Sequence, residues 1–349
     1  YCEDERSVLE IGGEVVPLEL ERSSSMALML EGSSLWDFGF RAFRLGDFLW
    51  TGHPESLMFL RPFARGRIPL VLVHGTFSSP ANWAQLVNEL QNDREIFGGY
   101  QVWLFLYNSG NPIAYSAGIL AETLRRVVGQ LDPEGRDPAL RRMVMVGHSQ
   151  GGLLARLMAV ESGDAFWRLV GNRPLEELSL QPESQALLQR SLFFEPLPFV
   201  RRVVFIATPH RGAEAADLRV ASWISRLVKL PASLTKLALD LATLGSDEFY
   251  LSALDRMPTS VDNMAWGNPF LQTLAGLPIA QGIGSNSIIA VRGSGPYAEG
   301  TDGVVRYTSA HLPGVDSEKV VQPSGHSVQR HQEAIQELRR ILLEHAAPQ

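Results

Sequence analysis

A single cysteine, Cys2, serves the whole chain of 349 residues. One thiol cannot close an intrachain disulfide or build a cysteine-based metal cluster, so packing alone must hold the fold. Lysine is almost as scarce, at positions 229, 236 and 319 only. Nearly all positive charge is arginine, which we attribute to genome composition. No block of basic residues offsets the net charge of −7, which speaks against a nucleic-acid partner. No window of about 18 apolar residues occurs, so no transmembrane segment is expected. Internal repeats, low-complexity tracts and an interdomain linker are also missing. No closely spaced His/Cys/Asp set has the spacing of zinc ligands, and the expectation is a protein without metal or cofactor. What is present is 45% hydrophobic and 20% charged residues, the composition of a chain that buries a large core. Because the sequence opens on Tyr1 rather than methionine, a preceding segment is expected. A signal peptide is one candidate and a lipid anchor near Cys2 another, either implying export or membrane attachment.

The most informative stretch is Met143 to Arg156, MVMVGHSQGGLLAR. An apolar run ends in Gly147-His148-Ser149-Gln150-Gly151 and a helix-like segment follows, which places G-x-S-x-G between a strand and a helix. Glycines alone would explain a tight turn. They do not explain a serine at its sharpest point, and Ser149 is read as a nucleophile.

The surrounding pattern is that of a parallel α/β sheet. Short continuous apolar runs at Pro69–Val73, Val102–Tyr107, Met143–Val146, Val203–Ala207 and Ser287–Val291 read as strands buried on both faces, with a last strand at Lys319–Val321. Between them, Ser79 and Pro80 supply an N-cap and first helical position for Ala81–Leu90. Ile113, Ala117, Leu120, Leu124, Val127 and Leu131 form one apolar helix face after Asn111-Pro112. A helix over 151–160 and a closing helix over about 328–345 complete the set. Alternating strands and helices imply right-handed crossovers.

Three regions fall outside this pattern. In 1–64, an alternating patch at Val15, Val16, Leu18 and Leu20 suits an edge strand. The aromatics Trp36, Phe38, Phe40, Phe43, Phe48, Trp50, Phe59 and Phe63 fit neither period. They are expected to pack on the sheet edge, an acyl-binding wall being the weaker alternative. Residues 161–199 are irregular. Residues 213–286 separate two strands by far more than a crossover needs. They carry apolar residues at helical spacing in two halves, Val220, Trp223, Ile224, Leu227 and Leu230, then Leu234, Leu237, Leu241 and Leu244, broken at Pro231. Either these faces pack on the sheet as ordinary core, or they form a lid over Ser149 with Arg219, Arg226, Lys229 and Lys236 as its rim. The expected division is an N-terminal extension 1–64, a core of 65–160, 200–212 and 287–349, and cap insertions 161–199 and 213–286.

A serine hydroxyl needs a base, and the base needs an acid to hold its tautomer. In this architecture the order along the chain is Ser, acid, His. Among eight histidines, only His326 directly follows the last strand in a glycine-containing loop before the closing helix. The acid should follow the 287–291 strand. Asp302, between Thr301 and Gly303, is the choice, with Glu299 in reserve and Asp316 disfavoured by its place beside the strand leading to His326. The oxyanion needs backbone donors, for which position selects the N–H groups of Thr76 and Gln150. Phe77, His148, Trp223, Ile224 and Leu227 are the candidate substrate contacts.

VLVHGTF, MVGHSQGG, FIATPHRG, TDGVV and SGHS, in that order, resemble the bacterial lipase and carboxylesterase branch of the α/β-hydrolase family over roughly residues 65–345. The resemblance implies an α/β-hydrolase fold, a mostly parallel sheet with helices on both faces and a helical cap. It implies an ester or lipid hydrolase with the triad Ser149, Asp302 and His326 and oxyanion donors Thr76 and Gln150, the substrate staying open among a triacylglycerol, a short-chain ester, a phospholipid and a synthetic polyester. Gln150 stands where many lipases carry methionine, and the first 60 residues match no general family feature. Acyl transfer, phospholipid cleavage on the same triad and a non-catalytic lipid carrier are the rival readings. The expected partner is an ester substrate, with transient contact at a lipid interface through the lid and no obligate protein partner.

Overall fold

The computed structural model describes residues 8–17, 56–213, 230–243 and 258–347. The chain first makes a hairpin of β1 (Val8–Ile11) and β2 (Glu14–Pro17). Its two-residue turn, Gly12-Gly13, has φ of 62° and 85°. Positive φ at both central positions is what a twist-matched hairpin turn requires, and glycine adopts it without strain. Val15 and Val16 thus lie in a strand as expected, but that strand pairs with β1 and not with the main sheet. Leu18, Leu20 and the aromatics from Trp36 to Trp50 lie outside the described residues.

Then follow β3 (Ser56–Phe59), β4 (Ile68–Val73), α1 (Ala84–Asn92), α2 (Arg94–Gly99), β5 (Tyr100–Leu106), α3 (Ile113–Leu131), β6 (Met143–His148) and α4 (Gln150–Leu157). Next come α5 (Pro182–Leu192), β7 (Val200–Ile206), α6 (Ala232–Ala242), α7 (Ser260–Asn263) and α8 (Pro269–Gly276). The last elements are β8 (Gly284–Ala290), α9 (Tyr307–Ala310), β9 (Ser317–Val321) and α10 (Gln332–Ala346). The main sheet has seven strands in the order β3-β5-β4-β6-β7-β8-β9. Only β3 runs antiparallel to its neighbour. All predicted strands of the main sheet are present among the described residues; β3 is the addition to it. Four residues long, it carries no legible period, and Phe59 packs there at the edge, stacked on Trp103 at 4.7 Å.

Successive side chains of a strand point to opposite faces, and both faces here are covered. Val71 and Val73 join Phe105, Met145, Val203 and Phe205 under α3, α4 and α8, with Leu271 and Leu274 of α8 fully buried. Ile68, Leu70 and Leu72 join Val144, Val146, Val204 and Ile288 under α1 and α10. Ser79 does precede the helical turn over Pro80–Trp83 that leads into α1, but its side chain makes no capping hydrogen bond.

Among the described residues of the insertions, α6 has a partner that neither predicted alternative named. Leu234, Leu237 and Leu241 of α6 are buried, as their spacing requires, yet against Trp167, Leu175, Leu178, Leu187 and Leu188 of the 161–199 segment. The apolar face of α6 therefore packs on the 161–199 segment, in a cluster that also takes in Tyr115 of α3. Lys236 is exposed and pairs with Glu183 of α5 at 3.3 Å. The end of the predicted 213–286 insertion, α7 and α8, reaches the core through Leu271 and Leu274, and β8 begins at Gly284 rather than Ser287. Val220, Trp223, Ile224, Leu227, Leu244 and the rim residues Arg219, Arg226 and Lys229 lie outside the described residues.

Candidate active site

Because β4 and β6 to β9 are parallel, the loops at their carboxyl ends meet on one side of the sheet, and Ser149, Thr76, Asp302 and His326 are carried there. Ser149 caps α4 with φ 54° and ψ −125°, a conformation unfavourable for any residue with a Cβ. The chain is forced through it by close backbone approach. A Cβ on Gly147 would stand 2.3 Å from Gly151 O, and one on Gly151 would stand 2.1 Å from Val73 O. One on Gly152 would meet Thr208 Oγ1 at 1.9 Å. The elbow is pinned at its other side by Ser149 N–H donating to Ile206 O at 2.8 Å.

His326 Nε2 lies 3.0 Å from Ser149 Oγ, and His326 Nδ1 lies 2.7 Å from Asp302 Oδ2. A carboxylate on Nδ1 holds the proton there and leaves the Nε2 lone pair facing the serine hydroxyl. Asp302 Oδ1 accepts from the backbone N–H groups of Val304 (2.8 Å) and Val305 (2.7 Å), so its second oxygen is aimed at the histidine. Gly303, with φ 97°, closes that turn. The Asp302 side chain is 1% exposed and that of His326 20%, so solvent reaches the imidazole but not the carboxylate. Glu299, the reserve, is exposed on a helical turn; Asp316 bonds Arg202 and the Ser285 N–H near the amino ends of β8 and β9.

The Asp302 loop is clipped from outside. Tyr307 Oη donates to Glu318 Oε1 (2.6 Å), and His311 Nδ1 bonds Glu318 Oε2 (2.7 Å), joining α9 to β9. Burial and the Glu318 carboxylate push the Tyr307 hydroxyl well above the usual phenol range. Nothing in the sequence spacing signals this clip.

Thr76 and Gln150 meet directly. Thr76 Oγ1 donates to Gln150 Oε1 at 2.6 Å, with Met264 Sδ 3.6 Å from the same hydroxyl. Gln150 is fully buried at the first position of α4, where helical geometry supplies its N–H with no acceptor. Phe77 is 39% exposed with φ 53°, a second strained residue beside the elbow. His74 is buried, stacked on Tyr107 at 4.5 Å, and burial holds its pKa at about 4, so it is neutral.

His148, a predicted substrate contact, is 7% exposed, and its Nε2 bonds the backbone carbonyl of His326 at 2.8 Å. Gly75 packs on it; a Cβ there would stand 3.2 Å from His148 Nδ1 and 2.9 Å from Ser149 Cβ. Trp223, Ile224 and Leu227 lie outside the described residues. Trp83, edge-on to His148 at 6.4 Å, and Met264 were not singled out from the sequence, where both read as ordinary apolar positions.

A doubly covered, mostly parallel sheet with a strained serine elbow and a histidine at its carboxyl end defines the α/β-hydrolase class. Residues 70–338 match the Alpha/beta hydrolase family, and the chain belongs to it. No curated protein matches the sequence. Among solved structures, the mature lipase BlEst2 of Bacillus licheniformis is 16% identical, covering 82% of this chain and 98% of that one with a TM-score of 0.46. A butyrate-bound esterase, Est2, of the planctomycete Thermogutta terrifontis is 14% identical over 83% and 88%, with a TM-score of 0.43. A lipase-esterase related protein from Clostridium acetobutylicum is 11% identical over 82% and 99%, with a TM-score of 0.42.

Proposed function

We propose that the protein hydrolyses carboxylic esters through an acyl-enzyme on Ser149. The observation that carries this reading is the line Asp302–His326–Ser149, with spacings of 2.7 and 3.0 Å. In the first half-reaction Ser149 Oγ attacks the ester carbonyl carbon while its proton passes to His326 Nε2, and Asp302 stabilises the imidazolium. The carbonyl oxygen takes up the negative charge and is met by the N–H groups of Gln150 and Thr76. Collapse breaks the bond to the alkoxy oxygen, which leaves with the proton from His326. Water then repeats the sequence on the acyl-serine, giving the acid and free enzyme. In this reading 65–160, 200–212 and 287–349 are the catalytic core, 1–64 an extension, and 161–199 with 213–286 the cap. The apolar cluster shared by α5 and α6 supports treating the two insertions as one unit.

Ser149→Ala is expected to abolish turnover of p-nitrophenyl esters and labelling by a fluorophosphonate, with an unchanged circular dichroism spectrum. Undiminished turnover in that variant would sink the proposal. A chain-length series of p-nitrophenyl esters, run beside emulsified triglyceride and a polyester film, is expected to place the substrate among short esters, lipids or polymers.

A further inference from the structure

Ser149 and His326 are 177 residues apart in sequence, and two hydrogen bonds join their loops. One is the Oγ to Nε2 contact. The other is made by the residue before the serine, from His148 Nε2 to the His326 carbonyl oxygen at 2.8 Å. We propose that His148 is a positioning residue, holding the main chain of His326 so that its imidazole stays in line with both Ser149 and Asp302. This rests on the roles proposed above for Ser149 and His326.

The surroundings of His148 suit that task. Its ring lies 5.0 Å from the His326 ring, tilted by 51°, with Trp83 edge-on at 6.4 Å. Gly75 leaves just enough room on the Nδ1 side, so the ring has little freedom to turn. Burial, and then the neighbouring His326, drive its pKa down to about 3. A neutral imidazole has one N–H, and the carbonyl acceptor places it on Nε2. Neutrality also matters during the reaction, because a second cation 5.0 Å from the His326 imidazolium would oppose its formation. A carbonyl acceptor in His326 itself means that the tether acts on the backbone and leaves both ring nitrogens of the base free for their partners.

The test compares His148→Met, which keeps the volume and removes the donor, with His148→Gln, whose amide reaches as far as Nε2. In the Met variant kcat for p-nitrophenyl acetate is expected to fall about ten- to a hundredfold with KM within about twofold, as a small misplacement of a base can cost. The Gln variant is expected to recover most of that loss. If the Met variant does not fold, His148→Asn, with its amide one bond too short, takes its place with the same expected loss. A second measurement does not depend on ester chemistry. The proton NMR resonance of His326 Nδ1–H, held by Asp302, is expected to broaden or move upfield in the Met or Asn variant and return in the Gln variant. A Met or Asn variant with wild-type kcat and an unmoved resonance overturns the proposal. A change confined to KM also overturns it and assigns His148 to the substrate. If the wild-type protein resists fluorophosphonate, the functional reading fails, and the resonance alone still decides whether His148 positions His326.

Discussion

The two ends of the sheet use similar residues to opposite effect. At the carboxyl ends, His326 has a carboxylate on one nitrogen and a hydroxyl on the other. At the amino ends, His345 is equally hemmed in, but its partners are the Arg142 carbonyl at 2.7 Å and Arg202 Nε at 3.4 Å. Burial leads the causes that hold His345 at about 4, with both arginines adding to them, so it is a neutral ring that donates through Nε2 and accepts through Nδ1. Around it Arg202 bonds Asn286 and Asp316, and Arg340 fans out to Glu337, Glu344 and Ser317. His326 has a carboxylate and a hydroxyl on opposite sides of its ring, the arrangement that the proposed base role needs, whereas His345 links two arginines at the amino ends.

The strongest way to break that contrast is to remove one acid from each end. Asp302→Asn is expected to lower kcat by about ten-thousandfold, because the amide favours the wrong tautomer of His326. Asp316→Asn at the other end is expected to leave kcat within about twofold, with both read on a p-nitrophenyl ester.

The next effect is on stability and comes from the neutral histidines. His74, His148 and His345 titrate at about 4, 3 and 4 in the folded protein against 6.5 when free, and His210 is held well below 6.5 by burial and by Arg156 and Arg211. The unfolded chain therefore binds more protons between these values. Their contribution is complete above pH 6.5 and is lost as the pH falls towards 4, by about 1.4 kcal/mol per pH unit for each histidine. Thermal melting across that window is expected to show the decline, and His345→Gln is expected to make it shallower.

Smaller changes sharpen the comparison further. Thr76→Val removes the hydroxyl bonded to Gln150 and is expected to lower kcat about tenfold with little change in KM, the worth of about one hydrogen bond. Arg340→Ala removes exposed ion pairs and is expected to cost under about 1 kcal/mol in urea unfolding, with activity unchanged.

What could be read in advance follows from how much signal each feature writes into the sequence. The strands under two layers of helix are continuous apolar runs, and the elbow is a run of glycines about a serine, so both were legible. The three side chains assigned to the triad occupy one line because strand order dictates where each loop must end. By contrast, β3 is four residues on an open edge, too short for a period to declare itself. Leu234, Leu237 and Leu241 announced a buried face but not its partner, since apolar spacing specifies burial and not direction. The bond from His148 to residue 326 was illegible for a similar reason: its acceptor is a backbone carbonyl, which leaves no mark on the sequence.

The span of 177 residues between Ser149 and His326 has a consequence for how the protein comes into being. His326 lies on a loop that follows β7, β8 and β9 in the chain, so its contact with Ser149 is among the more non-local of those described. Loop-closure entropy must be overcome before such contacts form. Catalytic competence should accordingly return late in refolding, after helical circular dichroism, and a chain stopped before β9 would lack the base proposed for Ser149.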